Sequence, residues 1–498
     1  MTDSSSQAWF KTARQTPRDV DLPEYDRGSL VGGLVHIGVG QFHRSHLAVY
    51  LDDLFRLGKA RGWAIRGVGL RAEDATLRAA LTDQNCWYSV TEKHPDGART
   101  TRLVGSLVDY VDGHLDPDAA IESIADPRTR IVSLTITEGG YNIDRRTGEF
   151  LLDQASVAAD LRSDGPPHTV FGVVCEGLRR RRARGLAPVS VMSCDNVQSN
   201  GLVARRAFTT YANARDPELA EWIGANVSFP STMVDRITPP TLASDVAELR
   251  ARTGLVDRAA VVCEPFRQFV VEDDFVAGRP DWESVGVQMV SEVSAFEQLK
   301  LRLLNAPHQI LAHFGLLAGY THTAEAMQDA GLVSLLSSFQ QNEAMPTIPP
   351  VPGVDLVGYA ATVRERFANP QMDDTLVRIA TSASDRIANF LLPLVRDRIA
   401  AGQPIDIAAA TVAAWLHRLS IAAAGAFPIR VADPGFDVEG TPSPTAMLAH
   451  PIFGGLGTVP EFVRPFERAA NALATQDVEI VMREVVDWAE IRPVDRSW

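Results

Sequence analysis

The first half of the chain alternates short apolar runs with segments of helical periodicity. Runs of this kind, separated by helices, are typical of parallel strands that are covered on both faces. A helical pattern from Phe42 to about Leu57 follows the first run. The predicted strands are Leu34–Gly38, Ala64–Leu70, Arg130–Thr137 and Pro188–Ser193, with weaker candidates at Val227–Phe229 and Ala260–Cys263. The pattern predicts an α/β domain built on a mostly parallel sheet.

Helical periodicity dominates the second half, from about Glu292 onward. Segments rich in proline and glycine, at 346–353 and 433–460, separate the predicted helices. These helices are Val293–Leu317, Ala324–Gln340, Tyr359–Phe367, Thr375–Ala401, Asp406–Ala424 and Glu461–Trp488. We therefore expect two domains: an α/β domain over residues 1–287 and a largely α-helical domain over residues 288–498.

Charge and composition narrow the class of partner. The chain has 48 basic and 62 acidic residues among 498, a formal net charge of −14, which argues against a nucleic-acid or anionic-membrane partner. The N-terminus carries no apolar signal segment, and no apolar run approaches the roughly 18 residues of a membrane span. Four cysteines show no CxxC spacing and are interpreted as reduced thiols rather than a zinc site. We expect a soluble cytoplasmic protein.

A glycine loop follows the first predicted strand and opens a helix. Gly38 and Gly40 allow a tight turn and a close approach to a pyrophosphate, while His43 replaces the third glycine of the usual dinucleotide fingerprint. The alternative is an ordinary strand-to-helix turn that needs small residues. The predicted cofactor-binding residues of this loop are Ile37, Gly38, Val39, Gly40, Gln41, Phe42 and His43.

Two acidic residues follow the second predicted strand. A carboxylate at this position accepts hydrogen bonds from the adenosine ribose and repels the 2′-phosphate of NADP. Glu73 and Asp74 therefore favour NAD, although Arg71 beside them would accommodate a phosphate. For Asp74 the alternative is a plain helix N-cap.

The segment from Lys300 to His308 places an amine, an amide and an imidazole among leucines. On an uninterrupted α-helix, Asn305 lies at about 140° and His308 at about 80° around the axis from Lys300. A partly desolvated lysine has a lowered pKa and becomes a base near neutral pH. Pro307 lies inside this segment, so we also expect a kink or a helix restart that moves His308 relative to Lys300.

Two further predicted strands end in polar loops, where ligands of open parallel sheets bind. One loop, 137–142, contains Glu138, and the other, 193–201, contains Asn196. The Asn196 amide is a neutral donor suited to an alkoxide, and loop capping is the alternative.

Five segments in order along the chain resemble the polyol-specific long-chain dehydrogenases, most closely the mannitol 2-dehydrogenase branch of that family. The Lys-x-Arg-x-Leu-Asn motif is specific to the family, whereas the glycine loop is not. The matching segments span 38–46, 135–142, 193–196, 234–239 and 300–308.

This resemblance implies a Rossmann-type N-terminal domain, a helical C-terminal domain, a substrate cleft between them and a zinc-free mechanism. Lys300 would be the general base, with the proton passed on through Glu297. Asn196 and Asn305 would hold the developing alkoxide, and His308 would orient the substrate. The residues implied or considered for substrate binding are Asp235, Arg378, Arg386 and Glu138.

One position departs from the family pattern. Arg386 stands where the mannitol enzymes carry a lysine, and a guanidinium can grip a carboxylate or phosphate with two hydrogen bonds. A sugar acid or sugar phosphate therefore stays open as the substrate.

The sequence predicts an NAD-dependent polyol dehydrogenase that interconverts a polyol and its ketose, with D-mannitol and D-fructose as the first candidates. Alternatives within the family are a fructuronate reductase and a sorbitol, arabinitol or sugar-phosphate dehydrogenase. Alternatives outside it are a non-catalytic regulator that senses NAD(H) and a methyltransferase that uses the glycine loop. We expect a monomer or a small homo-oligomer.

Overall fold

The computed structural model describes residues 18–144, 147–429, 431–436, 440 and 442–490. The chain divides into two compact units, with the boundary between Ser294 and Ala295. Within the described ranges, no helix combines the length and apolarity needed to cross a bilayer.

A five-stranded, fully parallel sheet forms the centre of the N-terminal unit. The chain enters at β1 in the middle, adds strands on one side and then returns to add strands on the other, giving the order β5-β2-β1-β6-β7. The order therefore reverses between β1 and β6, which is where such sheets bind ligands. The strands are β1 Gly32–Ile37, β2 Ala64–Gly69, β5 Leu107–Asp112, β6 Ile131–Leu134 and β7 Ser190–Ser193.

The predicted α/β fold is confirmed, and four predicted strands correspond to β1, β2, β6 and β7. The segment Val227–Phe229 is not a strand, since only Ser228 forms an isolated bridge. Two small sheets, β4-β3-β9 and β11-β10-β8, complete the unit. Their strands are β3 Tyr88–Lys93, β4 Arg99–Val104, β8 Thr232–Asp235, β9 Val261–Cys263, β10 Gln268–Glu272 and β11 Gln288–Val290.

Helices pack on both faces of the parallel sheet. Alternate β1 residues face opposite sides, so Leu34 joins one apolar cluster and Val35 joins the other. Each such fully buried side chain contributes about 1.5–3 kcal/mol. The helices are α1 Gln41–Ser45, α2 Leu47–Arg56, α3 Ala75–Asp83, α4 Pro117–Ala125, α5 Ala155–Arg162, α6 Val170–Ala183, α7 Asn200–Arg215, α8 Pro217–Asn226 and α9 Ala243–Thr253. The helix predicted over Phe42–Leu57 is interrupted at His46 between α1 and α2.

The C-terminal unit is largely helical, as predicted. Its helix α18 is apolar around most of its circumference and buries Trp415 completely. The helices are α10 Ser294–Lys300, α11 Ala306–Leu317, α12 Thr323–Ala326, α13 Ala330–Ser338, α14 Leu356–Phe367, α15 Leu376–Ala380, α16 Ala383–Arg386, α17 Leu392–Ala400, α18 Asp406–Ala423, α19 Pro444–Met447, α20 Pro460–Thr475 and α21 Val478–Glu490. Short 3₁₀ helices occur in both units. They lie at Arg27–Ser29, Arg61–Trp63, Ala72–Asp74, Glu138–Tyr141, Trp282–Val285, Met345–Thr347, Pro451–Phe453 and Leu456–Thr458.

Wide π-helical turns interrupt the helices of this unit at Leu301–Asn305, Phe339–Ala344 and Ile387–Leu391. A proline stands two residues after each turn, at 307, 346 and 393. Proline has no N–H to donate to the carbonyl four residues earlier. The preceding turn closes instead through a bond five residues back, as from the Ala306 N–H to the Leu301 carbonyl.

Candidate active site

The glycine loop lies at the point where the parallel sheet reverses its order. Gly38 has φ +91°, and a Cβ built there would lie 2.1 Å from the carbonyl oxygen of Thr135. Gly40 has an ordinary φ of −80°, and the nearest atom to its built Cβ is 3.9 Å away. Gly38 is therefore required by packing inside the protein, whereas Gly40 leaves the outer side of the loop bare. This shape fits the close approach of a pyrophosphate.

Two stacked and buried histidine rings, His36 and His43, pack against the inner side of the glycine loop. The His36 ring bonds Ser133 Oγ at 2.7 Å and Thr135 Oγ1 at 2.9 Å, and its centroid lies 3.4 Å from that of His43. Burial lowers the pKa of His36 to about 3 and places the pKa of His43 well below its usual value. Both rings are therefore neutral at pH 7, and the structure places His43 in the interior beneath the loop.

The acidic residues after β2 both contact Arg71. The Asp74 carboxylate accepts a hydrogen bond from the Arg71 N–H at 3.2 Å, within the short helix Ala72–Asp74. Asp74 also occupies the N-cap position of α3, but it makes no side-chain capping hydrogen bond there. Glu73 is exposed, and its carboxylate lies 3.3 Å from Nε of Arg71. A hydrogen bond from its own backbone N–H, and then the charge of Arg71, lower the pKa of Glu73. Glu73 therefore presents a negative charge at this strand end.

The loops after β6 and β7 are tied together by Asp195, which the sequence interpretation missed. Its carboxylate accepts hydrogen bonds from the N–H groups of Ile136 at 3.0 Å and Thr137 at 2.8 Å, and from the Tyr141 hydroxyl at 2.8 Å. Thr137 has φ +67°, a strained conformation that these bonds hold in place. The neighbouring residues Glu138 and Asn196 are exposed on the same pair of loops.

Asp235 ends β8, and its side chain is buried. Its neighbour Arg236 is also buried and donates to Glu92 Oε1 at 2.5 Å and to the Ser45 carbonyl at 2.6 Å. Neither Asp235 nor Arg236 is therefore at the surface.

In the C-terminal unit, Glu297 and Lys300 lie on α10 and are 6% and 8% exposed. Their spacing of three residues places them on one side of the helix. The lysine that was predicted to lose part of its solvation among leucines is thus a buried residue.

The π-helical turn at Leu301–Asn305 overturns the angles expected for an uninterrupted α-helix. One extra residue in the turn rotates everything after it by about 100°. His308 then falls within about 20° of the Lys300 direction, instead of about 80° away. The helix change expected at Pro307 therefore brings the imidazole and the amine to the same side.

The sequence interpretation also missed Gln340, which completes this turn. Pro307 cannot donate to the Leu303 carbonyl, and the buried Gln340 Nε2 donates to that oxygen at 2.9 Å. A proline within a helical pattern signals that such a partner is needed, but it does not identify the partner.

Two buried polar atoms on this segment have no hydrogen-bond partner among the described residues: Asn305 Oδ1 and His308 Nε2. The His308 ring stacks on Phe367 with centroids 4.2 Å apart. Burial lowers the pKa of His308 to about 3, partly offset by Asp374 and reinforced by nearby arginines, so the ring is neutral. Unpaired buried polar atoms are costly, so both are suited to the hydroxyl groups of a ligand.

The two predicted substrate arginines lie on short neighbouring helices. Arg378 on α15 forms a bidentate ion pair with Asp374, with its Nε and Nη2 at 2.5 and 2.6 Å from the two carboxylate oxygens. Arg386 on α16 donates through Nη1 to the Ile379 carbonyl at 2.8 Å. Asp374, like Asp195 and Gln340, was not identified from the sequence.

Comparison with known proteins identifies the family to which the chain belongs. Residues 32–284 match the mannitol dehydrogenase Rossmann domain, and residues 292–474 match the mannitol dehydrogenase C-terminal domain. The chain belongs to the mannitol dehydrogenase family. It is therefore an oxidoreductase with a Rossmann-type N-terminal domain, as the resemblance implied.

Curated relatives cover most of the chain. A polyol:NADP oxidoreductase of Gluconobacter oxydans is 44% identical over 411 residues, 82% of this chain and 84% of that protein. A mannitol 2-dehydrogenase of Cereibacter sphaeroides is 44% identical over 385 residues, 77% and 80% of the two chains.

Two solved structures share the fold over nearly their full length. A D-sorbitol dehydrogenase in substrate-free form has a TM-score of 0.87 and 38% identity, covering 95% of this chain and 99% of that one. A Pseudomonas fluorescens mannitol 2-dehydrogenase in a ternary complex with NAD and D-mannitol has a TM-score of 0.85 and 37% identity, covering 96% and 99%.

Proposed function

We propose that this enzyme transfers a hydride between NAD(H) and a polyol/ketose pair, with D-mannitol and D-fructose as the first candidates and Lys300 as the general base. The observation that carries the proposal is that three polar groups follow one another from α10, through the π-helical turn, to α11. A buried amine is followed by two buried polar atoms, Asn305 Oδ1 and His308 Nε2, that lack partners among the described residues. A molecule rich in hydroxyl groups satisfies such atoms, and a polyol is one.

The loop over residues 37–43 would hold the pyrophosphate of the nicotinamide cofactor, which supplies the hydride acceptor when bound. Gly40 would allow its close approach, and Glu73 would accept hydrogen bonds from the adenosine ribose. The Glu73 carboxylate also opposes a 2′-phosphate, which supports NAD over NADP. The NADP named for the Gluconobacter oxydans relative makes this choice worth measuring directly.

Lys300 would take the proton of the reacting hydroxyl as the C–H hydrogen leaves that carbon as a hydride. Burial disfavours a positive charge on the amine, which keeps it able to accept a proton. The amide N–H groups of Asn196 and Asn305 would stabilise the developing alkoxide without adding a charge that titrates. Glu297, three residues before Lys300, would pass the proton onward.

The remaining predicted residues would bind the other hydroxyls. His308 is neutral, so its Nε2 can exchange a hydrogen bond with a hydroxyl without introducing a charge. We assign the same role to Asp235, Arg378, Arg386 and Glu138.

A matrix of substrates and cofactors tests the proposal. The full chain is assayed with D-mannitol, D-sorbitol and D-arabinitol, each with NAD and with NADP, by the absorbance of the reduced nicotinamide. Turnover of a polyol with NAD supports the proposal. Reduction of fructuronate without turnover of any polyol would favour the sugar-acid alternative. Binding of NADH without turnover of any substrate would favour the regulator, and binding of S-adenosylmethionine instead of NADH would favour the methyltransferase.

A further inference from the structure

The ion pair between Asp374 and Arg378 has a fixed geometry. The Asp374 side chain is only 7% exposed, whereas the Arg378 side chain is 53% exposed. The Asp374 carbonyl accepts the Thr323 N–H at 2.9 Å, and Thr375 Oγ1 caps the Arg378 N–H at 3.3 Å. Both residues are therefore anchored through their backbones, and the Asp374 carboxylate is buried against the guanidinium of Arg378.

The ion pair with Asp374 neutralises the charge of Arg378 but uses only part of its hydrogen-bonding capacity. Nε and one N–H of Nη2 point at the carboxylate, while a guanidinium has five N–H groups in all. Burial lowers the pKa of Arg378, and the pair with Asp374 more than offsets this, so the net shift of the Arg378 pKa is upward and the guanidinium keeps its charge. The remaining donors suit a neutral hydroxyl.

The same carboxylate acts on the predicted substrate histidine. Asp374 is the acid whose charge acts on the His308 ring, opposing the charges of Arg378, Arg386 and Arg366. Removing the Asp374 charge would leave the positive charge of Arg378 without the acidic partner it has in the structure.

Building on the proposed function, we propose that Asp374 is a specificity-determining residue that fixes the charge of the accepted substrate. By pairing with Arg378 it makes the C-terminal unit select an uncharged polyol or ketose over a sugar that carries a carboxylate. Replacing it with a neutral side chain of the same shape admits the anion.

The size of the effect follows from Coulomb's law. If the substrate carboxylate binds about 8 Å from Asp374, one unit charge changes its binding equilibrium roughly thirtyfold at an effective dielectric constant of about 20. Solvent screens part of this, because Arg378 is half exposed. We therefore expect Asp374→Asn to shift the specificity ratio by at least about tenfold.

The experiment compares D-fructose with D-fructuronate, two ketoses that differ at C6 by a hydroxymethyl group and a carboxylate. The measured quantity is the ratio of kcat/KM for the acid to kcat/KM for the neutral ketose. Asp374→Asn is expected to raise this ratio at least about tenfold, mainly through KM for the acid, and the gain is expected to shrink as salt is added. Asp374→Glu, which keeps the charge, is expected to return the ratio toward the wild-type value.

Asp373→Asn is the matched control. Asp373 is the exposed neighbour, pairs with His322 at 3.2 Å and has φ +51°, a conformation that asparagine tolerates. The same loss of charge one residue away is expected to leave the ratio within about twofold of wild type, since exposed pairs contribute little.

A double variant tests whether the effect runs through Arg378. Arg378→Gln replaces a half-exposed side chain and keeps an N–H donor that can reach Asp374. The double variant Asp374→Asn with Arg378→Gln is expected to lose most of the gain in acid use. An unchanged ratio in a folded Asp374→Asn overturns the proposal. If Asp374→Asn does not fold, the Arg378→Gln enzyme provides the test. The proposal is overturned if its kcat/KM for the acid equals that of the wild type. Either result leaves the proposed function intact if the wild type oxidises polyols, whereas inactivity of the wild type on every polyol refutes the proposed function itself.

Discussion

The two glycines of the cofactor loop have different roles in the structure, and paired alanine substitutions separate them. At Gly38, φ of +91° costs an alanine about 1–2 kcal/mol. The added Cβ would also lie 2.1 Å from the Thr135 carbonyl oxygen, a backbone atom that cannot rotate away. To relieve this clash, the loop must move away from the end of β6. This movement weakens the hydrogen bond that the Thr135 N–H donates to the Ile37 carbonyl. That bond is worth about another 1 kcal/mol.

Gly38→Ala is therefore expected to lower the free energy of unfolding by about 2–4 kcal/mol. Gly40→Ala meets nothing within 3.9 Å and has an ordinary φ, so its stability is expected to stay within about 1 kcal/mol of wild type. Its methyl group would instead occupy the bare side of the loop, and we expect the Kd for NADH to rise at least tenfold, about 1.4 kcal/mol.

Urea unfolding measures the first effect, and fluorescence titration with NADH measures the second. Gly40→Ala serves as the stability control for Gly38→Ala, because both add the same methyl group to one loop. A Gly40→Ala protein that binds NADH with wild-type affinity would refute the placement of the pyrophosphate on this loop. A Gly38→Ala protein of wild-type stability would refute the close packing against Thr135.

Other predictions concern the helical unit and the choice of cofactor. Gln340→Leu leaves the buried Leu303 carbonyl without its donor and is expected to cost about 1–3 kcal/mol in urea unfolding; wild-type stability would show that the π-helical turn does not need this bond. Burial raises the pKa of Glu343 from 4.5 to about 7; the folded protein holds this proton where the unfolded chain releases it, so the free energy of unfolding falls as pH rises between these values. Glu343→Gln should reduce that slope, and an unchanged slope would contradict the assignment. Glu73→Gln is expected to raise the ratio of kcat/KM with NADP to that with NAD, since one repelling charge is lost, and an unaltered ratio would remove Glu73 from cofactor selection.

The parallel sheet was predictable where strands are apolar on both faces. Ile131–Leu134 and Ser190–Ser193 are buried throughout, so their apolar runs stand out in the sequence. Leu107–Asp112 lies at the sheet edge and is only partly buried. Polar residues interrupt its apolar positions, so the sequence shows no apolar run that predicts a strand. The strand predicted at Ala260–Cys263 exists as β9 but pairs with β3 in a small sheet, a partner that no local pattern specifies.

In the candidate site, the candidate residues could be singled out from the sequence, but the partners that position them could not. Lys300 was predicted to be buried because leucines surround it, and it is. The helix angles were wrong, because the π-helical turn depends on a distant side chain, Gln340, as well as on Pro307. Asp195 was missed for a similar reason, because it joins two loops that only the folded chain brings together. Asp374 lies four residues before Arg378, a spacing that suggests a local ion pair, but only the folded chain brings its charge near His308.

The central claim is that the buried amine of Lys300 removes the proton from the polyol. The most direct measurement compares kcat for polyol oxidation, and the Kd for NADH, in wild type, in Lys300→Ala and in the exposed control Lys59→Ala. We expect Lys300→Ala to lose at least about 100-fold in kcat while its Kd for NADH stays within about twofold of wild type, and Lys59→Ala to match wild type in both. A Lys300→Ala enzyme that oxidises the polyol within a few-fold of the wild-type rate would contradict the account.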